Sequence, residues 1–295
     1  RLVEAEPTAV DAYWTAHTVN STPFESAADS ERYLEWRFGE YPLFRELSGL
    51  WGDHSGEVVL DYGCGPGDDV VGLALYSGAE RVIGLDISET ALSLSAHRIA
   101  LHGLDSSRVR LGQVSDGAPQ IPLEDGSIDY VHCGGVLHHT SSPTDLLREF
   151  HRVLRPGGRG FVMVYNSDSI WLHLYVAYEK MLHDEAFAGL TLDEAFTRLT
   201  DGPECPISRH YSSEQMIKLC EEAGLAARYA GGYLSRHELR QIDTHWARAI
   251  ADERLDESHR AFLRDLRFDR AGLPMYGRYH AGIGGVYHLR KDDSP

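Results

Sequence analysis

Asp61 and three glycines at alternate positions, Gly63, Gly65 and Gly67, follow the apolar run VVL. Glycine adopts a positive φ without strain and lets a ligand lie against bare backbone, so the N–H groups of such a turn can bind a ligand. The spacing GxGxG differs from the GxGxxG of dinucleotide-binding turns. We therefore predict a ligand-binding turn at the carboxyl edge of a sheet.

Three more aspartates indicate the charge and the sugar of this ligand. Asp68 and Asp69 begin the helix after the turn, and Asp86 ends the next apolar run. Carboxylates at a helix N-terminus suit the helix dipole but repel a diphosphate, whereas an ammonium or sulfonium group meets no such penalty. A carboxylate in the position of Asp86 can accept hydrogen bonds from both hydroxyls of a ribose. The sequence thus predicts a nucleoside that carries positive charge and no diphosphate, which disfavours NAD and FAD.

The elements that position these residues follow a strand–helix alternation over residues 57–166. Such alternation predicts an α/β fold, a parallel sheet with helices on both faces. Two helix-rich segments, 167–210 and about 235–280, interrupt the pattern before GGVYHLRK closes the chain as a strand. Ahead of residue 57 the chain reads helical, with Ser30 as the predicted N-cap of ERYLEWRF.

Composition and charge narrow the class of partner. The formal net charge is −17, from 45 acidic and 28 basic residues, so we expect neither nucleic acid nor an anionic membrane as partner. No apolar run has membrane-spanning length, and residues 1–30 lack a signal-peptide pattern. Four cysteines without a CxxC indicate a reducing compartment, hence a cytoplasmic location. The 16 histidines form no HExxH or zinc-spaced cluster, so no metal is predicted.

Four ordered motifs resemble those of the class I S-adenosylmethionine-dependent methyltransferases, in their small-molecule, type 11-like branch. They are LDYGCGPG, GLDIS, IPLEDGSIDYVHCGGVLHH and FHRVLRPGG, within residues 57–166, and a looser likeness extends over 211–234 and 283–291. The resemblance implies a Rossmann-like sheet of seven strands whose last strand is antiparallel. We accordingly predict an N-terminal helical cap or lid (1–56), a cofactor-binding core (57–166), a helical insertion after strand 5 (167–210) and the rest of the core (211–295). A second helical insertion, at about 235–280, follows strand 6.

The resemblance also implies S-adenosylmethionine as cofactor and S-adenosylhomocysteine as product. Positions matching the motifs are expected to line the methionine part of the cofactor, namely Asp61, Gly63, Cys64, Gly65 and Gly67. Others are expected at the ribose (Asp86), the adenine face (Ile87), the adenine edge (Asp116, Gly117) and the ammonium group (Cys133, Gly134).

Methyl transfer chiefly requires that nucleophile, methyl group and sulfur are held in line. A hydroxyl acceptor also needs a base, whereas an amine need only arrive neutral. His138 and His139 follow the fourth strand at the mouth of the site, and either could be this base or could support the loop. His138 is the preferred candidate. Tyr165 and His210 are further candidates for orienting the acceptor.

Tyr33 and Arg37 lie four residues apart in the N-terminal segment. If this segment closes as a lid, Arg37 could hold the methionine carboxylate with two hydrogen bonds. The alternative is an amphipathic helix in which Tyr33 is buried and Arg37 is solvated.

The sequence therefore predicts an enzyme that methylates a small molecule, favouring a hydroxyl of a specialised metabolite or sugar-bearing compound. Nitrogen and carbon acceptors stay open because the donor motifs do not depend on them. Outside this class, the alternatives are an NAD-linked oxidoreductase and a non-catalytic module that binds the cofactor. Homodimer formation also stays open.

Overall fold

The computed structural model describes residues 7–292, and its centre is a twisted sheet. Eleven strands are formed in that range: β1 (Val58–Tyr62), β2 (Arg81–Asp86), β3 (Val109–Gln113), β4 (Ile128–Gly134), β5 (Leu154–Asn166), β6 (His210–Tyr211), β7 (Leu225–Tyr233), β8 (Arg267–Phe268), β9 (Pro274–Tyr276), β10 (Tyr279–His280) and β11 (Gly284–Lys291).

Seven strands form the continuous sheet in the order β3-β2-β1-β4-β5-β11-β7. The pairings among β1 to β5 are parallel, and β11 runs antiparallel to both β5 and β7. The two-residue β6, which was not predicted, adds a parallel pairing at the end of β5. The predicted α/β fold is confirmed, and the antiparallel last strand matches the one that the family resemblance implies.

Successive residues of a strand point to opposite sides of the sheet, so both faces of this sheet carry apolar side chains. Helices cover both faces. Leu60 packs in a cluster with Phe150 and Met216, while its neighbour Val59 packs in a second cluster with Leu73. Helices outside the two late insertions are α1 (Ala9–Ala16), α2 (Ala27–Glu40), α3 (Phe44–Ser48), α4 (Asp68–Tyr76), α5 (Glu89–Leu101), α6 (Pro143–Val153) and α9 (Ser213–Glu222).

The start of α2 differs from the prediction. Ser26 is the N-cap, and its side chain accepts a hydrogen bond from the N–H of Asp29. Ser30 lies inside the helix and is fully buried, where its hydroxyl oxygen accepts from Nε of Arg98 at 2.6 Å. The buried place of Ser30 thus depends on a hydrogen-bond partner that is distant in sequence.

The chain after β5 and the chain after β7 pack against each other. The first contains a π-helix (Trp171–Lys180), α7 (Met181–His183), a 3-10 turn (Glu185–Phe187) and α8 (Leu192–Thr200). The second contains α10 (Arg236–Ala251), α11 (Glu257–Asp265) and an antiparallel sheet β8-β9-β10, which the sequence did not predict. Buried residues of both, such as Leu174 and Leu263, share one apolar cluster. Within residues 7–292, no helix combines the length and apolar character needed to cross a bilayer.

Candidate functional site

The turn after β1 is held by backbone hydrogen bonds and requires its glycines. The N–H groups of Gly63 and Cys64 both donate to the carbonyl oxygen of Leu85, at 2.7 and 3.0 Å. Gly63 has a φ of +75°, and a Cβ there would lie 2.1 Å from the side chain of Val136. A Cβ on Gly65 would meet nothing within 4 Å, so this residue presents bare backbone to open space.

Asp86 fixes the same turn from the end of β2. Its Oδ2 accepts from the N–H of Gly65 and its Oδ1 accepts from the N–H of Ser88, both at 2.8 Å. Burial raises the pKa of this carboxyl, although the backbone N–H groups act in the opposite direction. Each oxygen keeps a second lone pair with which it can accept a hydrogen bond from a ligand.

A cavity of about 380 Å³ lies along the carboxyl ends of β1 to β5. This volume is at the lower end of small-molecule sites, which span roughly 300–1,000 Å³. The cavity is lined by eight of the residues assigned from the sequence: Gly63, Gly65, Asp86, Ile87, Asp116, Gly134, His139 and Tyr165.

Five motif residues that were assigned to the cofactor do not line the cavity, namely Asp61, Cys64, Gly67, Gly117 and Cys133. Asp61 is buried with one carboxylate oxygen that lacks a hydrogen-bond partner, and burial raises its pKa to about 7. Burial likewise raises the pKa of the Cys64 and Cys133 thiols. At Gly67 a Cβ would lie 2.5 Å from the Ser95 hydroxyl, so this glycine allows α5 to approach.

The charges of Asp68 and Asp69 are compensated within the protein, which removes the electrostatic argument that was based on them. Asp68 pairs with the buried guanidinium of Arg98. Asp69 accepts two hydrogen bonds from Arg37, at 2.8 and 2.9 Å, and a third from His132 at 3.1 Å. Burial alone would raise the pKa of Asp69, but Arg37 and His132 outweigh it and hold this pKa below its usual range. Neither carboxylate lines the cavity, so the expected repulsion of a diphosphate is not supported by the geometry.

The expected contacts of Tyr33 and Arg37 with the cofactor are also corrected, since neither residue lines the cavity. Arg37 is half-buried, with its guanidinium bound to Asp69 and 4.7 Å from the ring centroid of Phe44. Tyr33 packs 5.5 Å from Phe24, and burial, together with Asp68, raises its pKa to about 12. Arg37 therefore joins α2 to α4, whereas Tyr33 packs on the segment that precedes α2.

The far end of the cavity brings His139 and Tyr165 together with Asp201. The Nδ1–H of His139 donates to the carbonyl oxygen of Ile207 at 2.8 Å, and Nε2 lies 3.6 Å from Oδ1 of Asp201. The hydroxyl of Tyr165 donates to the same Oδ1 at 2.8 Å. Burial lowers the pKa of His139, although Asp201 raises it, so the ring is neutral near pH 7. The ring centroid of Trp14 lies 4.6 Å from that of His139.

Two catalytic candidates lie outside the cavity lining. His138 is buried, its ring centroid lies 3.8 Å from that of Tyr165 in a tilted arrangement, and neither ring nitrogen has a hydrogen-bond partner. Burial, and then the neighbouring His139, lower its pKa well below the usual value. The preference for His138 is therefore corrected in favour of His139. His210 lines a separate cleft, where its Nδ1 lies 2.8 Å from the Ser167 hydroxyl.

The segment around α1 lies against the cavity; an N-terminal cap over residues 1–56 was predicted, but with Tyr33 and Arg37 rather than α1 as the part that contacts the ligand. Asp11 accepts from the Ser115 hydroxyl at 2.8 Å and from the N–H of Asp116 at 2.9 Å. The hydroxyl of Tyr13 donates to the carbonyl oxygen of Asp201. Four residues of this segment line the cavity, namely Val10, Trp14, Thr18 and Val19. One short segment thus touches both ends of the site.

Asp201 is a charged residue of the cavity lining that the sequence did not indicate. It follows α8 in the turn-rich DGPEC, and its side chain is only 4% exposed. One atom each from His139, Asp201 and Cys205 lies within 4.8 Å of the other two, a grouping that could hold a metal ion. No motif links these three positions in the sequence.

Comparison with known proteins gives the family. A family model described as a methyltransferase domain matches residues 53–239, well over half of the chain. An uncharacterised 37.1 kDa protein in transposon TN4556 of Streptomyces fradiae is 44% identical over 173 residues, which are 58% of this chain and 44% of that protein. The demethylmenaquinone methyltransferase of Geobacillus stearothermophilus is 31% identical over 134 residues, 45% of this chain and 53% of that protein. The chain spans about half the length of these curated relatives.

The fold is similar to that of an S-adenosylmethionine-dependent methyltransferase from Mesorhizobium loti, known from its crystal structure. The TM-score is 0.53 at 17% sequence identity, over 84% of this chain and 97% of that chain. At this identity the likeness concerns the fold alone.

Proposed function

The chain belongs to the class I S-adenosylmethionine-dependent methyltransferases, and we propose that it methylates a hydroxyl group of a small specialised metabolite. Three features support this proposal. The cavity is suited to the nucleoside, a neutral histidine lies at the far end of the cavity, and the segment around α1 lies over the cavity. The name of the Geobacillus relative, a demethylmenaquinone methyltransferase, supports an acceptor of small-molecule size.

The residues at the glycine turn fit S-adenosylmethionine. Gly63 and Gly65 have bare backbone on the cavity, and Asp86 offers a free lone pair on each oxygen to the two ribose hydroxyls. Ile87 supplies an apolar surface for the adenine, and Gly134 lines the cavity at the end of β4. When bound, the cofactor would supply a methyl group already activated by its sulfonium.

The acceptor would lie at the pair of His139 and Asp201. This pair is the reason for proposing that the methylated group is a hydroxyl. Because Nδ1 of His139 donates to Ile207, the lone pair of the neutral ring is on Nε2, near Asp201. A hydroxyl needs such an electron-rich group to lose its proton, whereas a neutral amine does not. Asp201, which lies beside Nε2, would stabilise the positive charge that develops on the imidazole.

The experiment combines calorimetry with methyl-labelled S-adenosylmethionine and a panel of phenols, sugar-bearing compounds, amines and carbon nucleophiles. We expect cofactor binding and label transfer to a hydroxyl compound. His139→Gln should bind the cofactor with unchanged affinity and lose turnover by about 100-fold or more, the scale of acid–base catalysis. His210→Gln, in the separate cleft, is the matched control.

The alternatives give different results in the same experiment. Transfer to an amine with full activity in His139→Gln would exclude the hydroxyl. Binding of NAD in place of S-adenosylmethionine would identify an oxidoreductase, and tight cofactor binding with no labelled product would indicate a binding module.

A further inference from the structure

Three side chains with metal-binding atoms converge beside Tyr165 at the far end of the cavity. They are His139 from the segment after β4, and Asp201 and Cys205 from the loop after α8. Within that loop the N–H of Cys205 donates to the carbonyl oxygen of Gly202 at 3.2 Å, so the loop folds back between the two ligating residues.

The ring of His139 is held in the tautomer that a metal requires. A carbonyl oxygen only accepts hydrogen bonds, so the 2.8 Å contact with Ile207 requires a proton on Nδ1. The lone pair of Nε2 then lies 3.6 Å from Oδ1 of Asp201. Two electron-rich atoms at this distance repel each other unless a proton or a cation lies between them. A backbone carbonyl on the other ring nitrogen is also a usual partner of a metal-bound histidine.

The carboxylate and the thiol can serve the same ion. Oδ1 of Asp201 accepts from Tyr165, while Oδ2 accepts from the hydroxyl of Ser208. These bonds orient the carboxylate and leave a second lone pair on Oδ1. The thiol of Cys205 lies 3.3 Å from the carbonyl oxygen of Ile207. Its proton would leave to solvent on metal binding, because the thiolate is the ligand form.

We infer that His139, Asp201 and Cys205 form a binding site for Zn²⁺ or a similar divalent transition-metal ion. Imidazole and thiolate select this class, whereas Mg²⁺ and Ca²⁺ take oxygen ligands. Three protein ligands leave a fourth position open, and His139 and Asp201 both line the cavity. The absence of a metal was predicted from spacing motifs, which these three positions do not form.

The site itself does not depend on the proposed function, but its role toward the acceptor rests on it. In the metal-loaded protein the lone pair of Nε2 binds the ion, so His139 does not act as the base. A hydroxyl at the open position would instead lose its proton to solvent more readily, as metal-bound water does. The resulting oxygen anion would form the new C–O bond as the bond between the methyl carbon and sulfur breaks. S-adenosylhomocysteine would then leave as a neutral thioether.

The test uses the tag-free chain, stripped with a chelator and titrated with Co²⁺ as the probe. We expect one equivalent to bind with a thiolate-to-cobalt absorption in the near ultraviolet, and Zn²⁺ to displace it. Cys205→Ser should lose this band, and His139→Gln should weaken binding by more than the roughly 10–100-fold that loss of an outer partner costs. Cys220→Ala and His210→Gln, both away from the cavity, are the controls and should keep band and affinity.

The wild-type spectrum decides the proposal even where a variant fails to fold, since binding without the band excludes a thiolate ligand. A band that persists in folded Cys205→Ser also overturns the assignment. Transfer of the labelled methyl group is then measured with the metal-free and with the metal-loaded protein. The comparison distinguishes the metal site from the proposed function. Full transfer without metal refutes the catalytic role of the ion and leaves the proposed function in place. A loaded protein that binds cofactor but methylates no acceptor refutes the proposed function and leaves the metal site.

Discussion

Replacing Arg37 by methionine tests whether this residue stabilises the fold or binds the cofactor. Methionine keeps an unbranched apolar stem against Phe44 but removes the two hydrogen bonds to Asp69. The carboxylate would then be buried with His132 as its remaining side-chain partner.

The geometry sets the size of the effect. The side chains of Arg37 and Asp69 are 16% and 13% exposed, so the pair is largely shielded from water. Removing one partner of a buried ion pair costs about 3–5 kcal/mol. Because His132 remains and some water reaches the pair, we expect the free energy of unfolding to fall by about 3 kcal/mol.

The assay is urea denaturation of wild type, Arg37→Met, Asp69→Asn and the double variant. The pair should show a coupling free energy near the upper end of the 0.5–3 kcal/mol that contacting residues give, roughly 2–3 kcal/mol. Arg32→Met is the matched control on the same helix, because Arg32 is 69% exposed and pairs with Asp29 at the surface. Such pairs are worth about 0–1 kcal/mol.

Calorimetry on the folded variant completes the test. We expect Arg37→Met to bind S-adenosylmethionine with wild-type affinity. A loss of stability no larger than that of Arg32→Met, together with cofactor binding weakened tenfold or more, would refute this reasoning. Arg37 would then hold the methionine carboxylate, as the spacing of Tyr33 and Arg37 had suggested.

Further predictions concern the glycine turn and the buried histidine. Asp86→Asn should raise the Kd for S-adenosylmethionine by about 10- to 100-fold, the 1.5–3 kcal/mol of a charge-assisted hydrogen bond; unchanged affinity by calorimetry would exclude the ribose contact. Gly63→Ala should lower the free energy of unfolding by more than about 1 kcal/mol, since its Cβ would meet Val136 at 2.1 Å. In Gly39→Ala, the helical control, the new Cβ meets nothing within 4 Å, and stability should rise. The folded pKa of His138 is lowered, so the unfolded chain binds the extra proton and stability falls as pH drops below about 6.5. His138→Phe should reduce this slope by up to about 1.4 kcal/mol per pH unit in urea titrations from pH 7.5 to about 5.5, and an unchanged slope would contradict the assignment.

The sequence predicted well what is local along the chain. The turn at Gly63, the carboxylate of Asp86 and the strand–helix alternation depend on neighbours within one βαβ unit, so their pattern can be read directly. Ser30 was misassigned because its partner, Arg98, is distant in sequence. Asp201 was missed because a single aspartate in a polar turn carries no pattern.

The charge argument at the helix start failed for the same reason. Asp68 and Asp69 read as uncompensated from neighbouring residues alone, yet Arg98 and Arg37 neutralise them across the fold. The family therefore follows from the ordered motifs and the matching family model, and not from electrostatic exclusion of a diphosphate. Likewise, the sequence could not tell which of His138 and His139 turns toward the cavity.

The contacts of Asp201 limit how the protein can be recombined with its relatives. Its carbonyl oxygen is bound by Tyr13, its carboxylate by Tyr165 and Ser208, and its neighbour across the cavity is His139. A chimera that imports only residues 167–210 would place a foreign loop against three native parts of the protein, those that contain Tyr13, His139 and Tyr165. Grafting a new specificity therefore requires the N-terminal segment and the strand ends to be transplanted together with the loop.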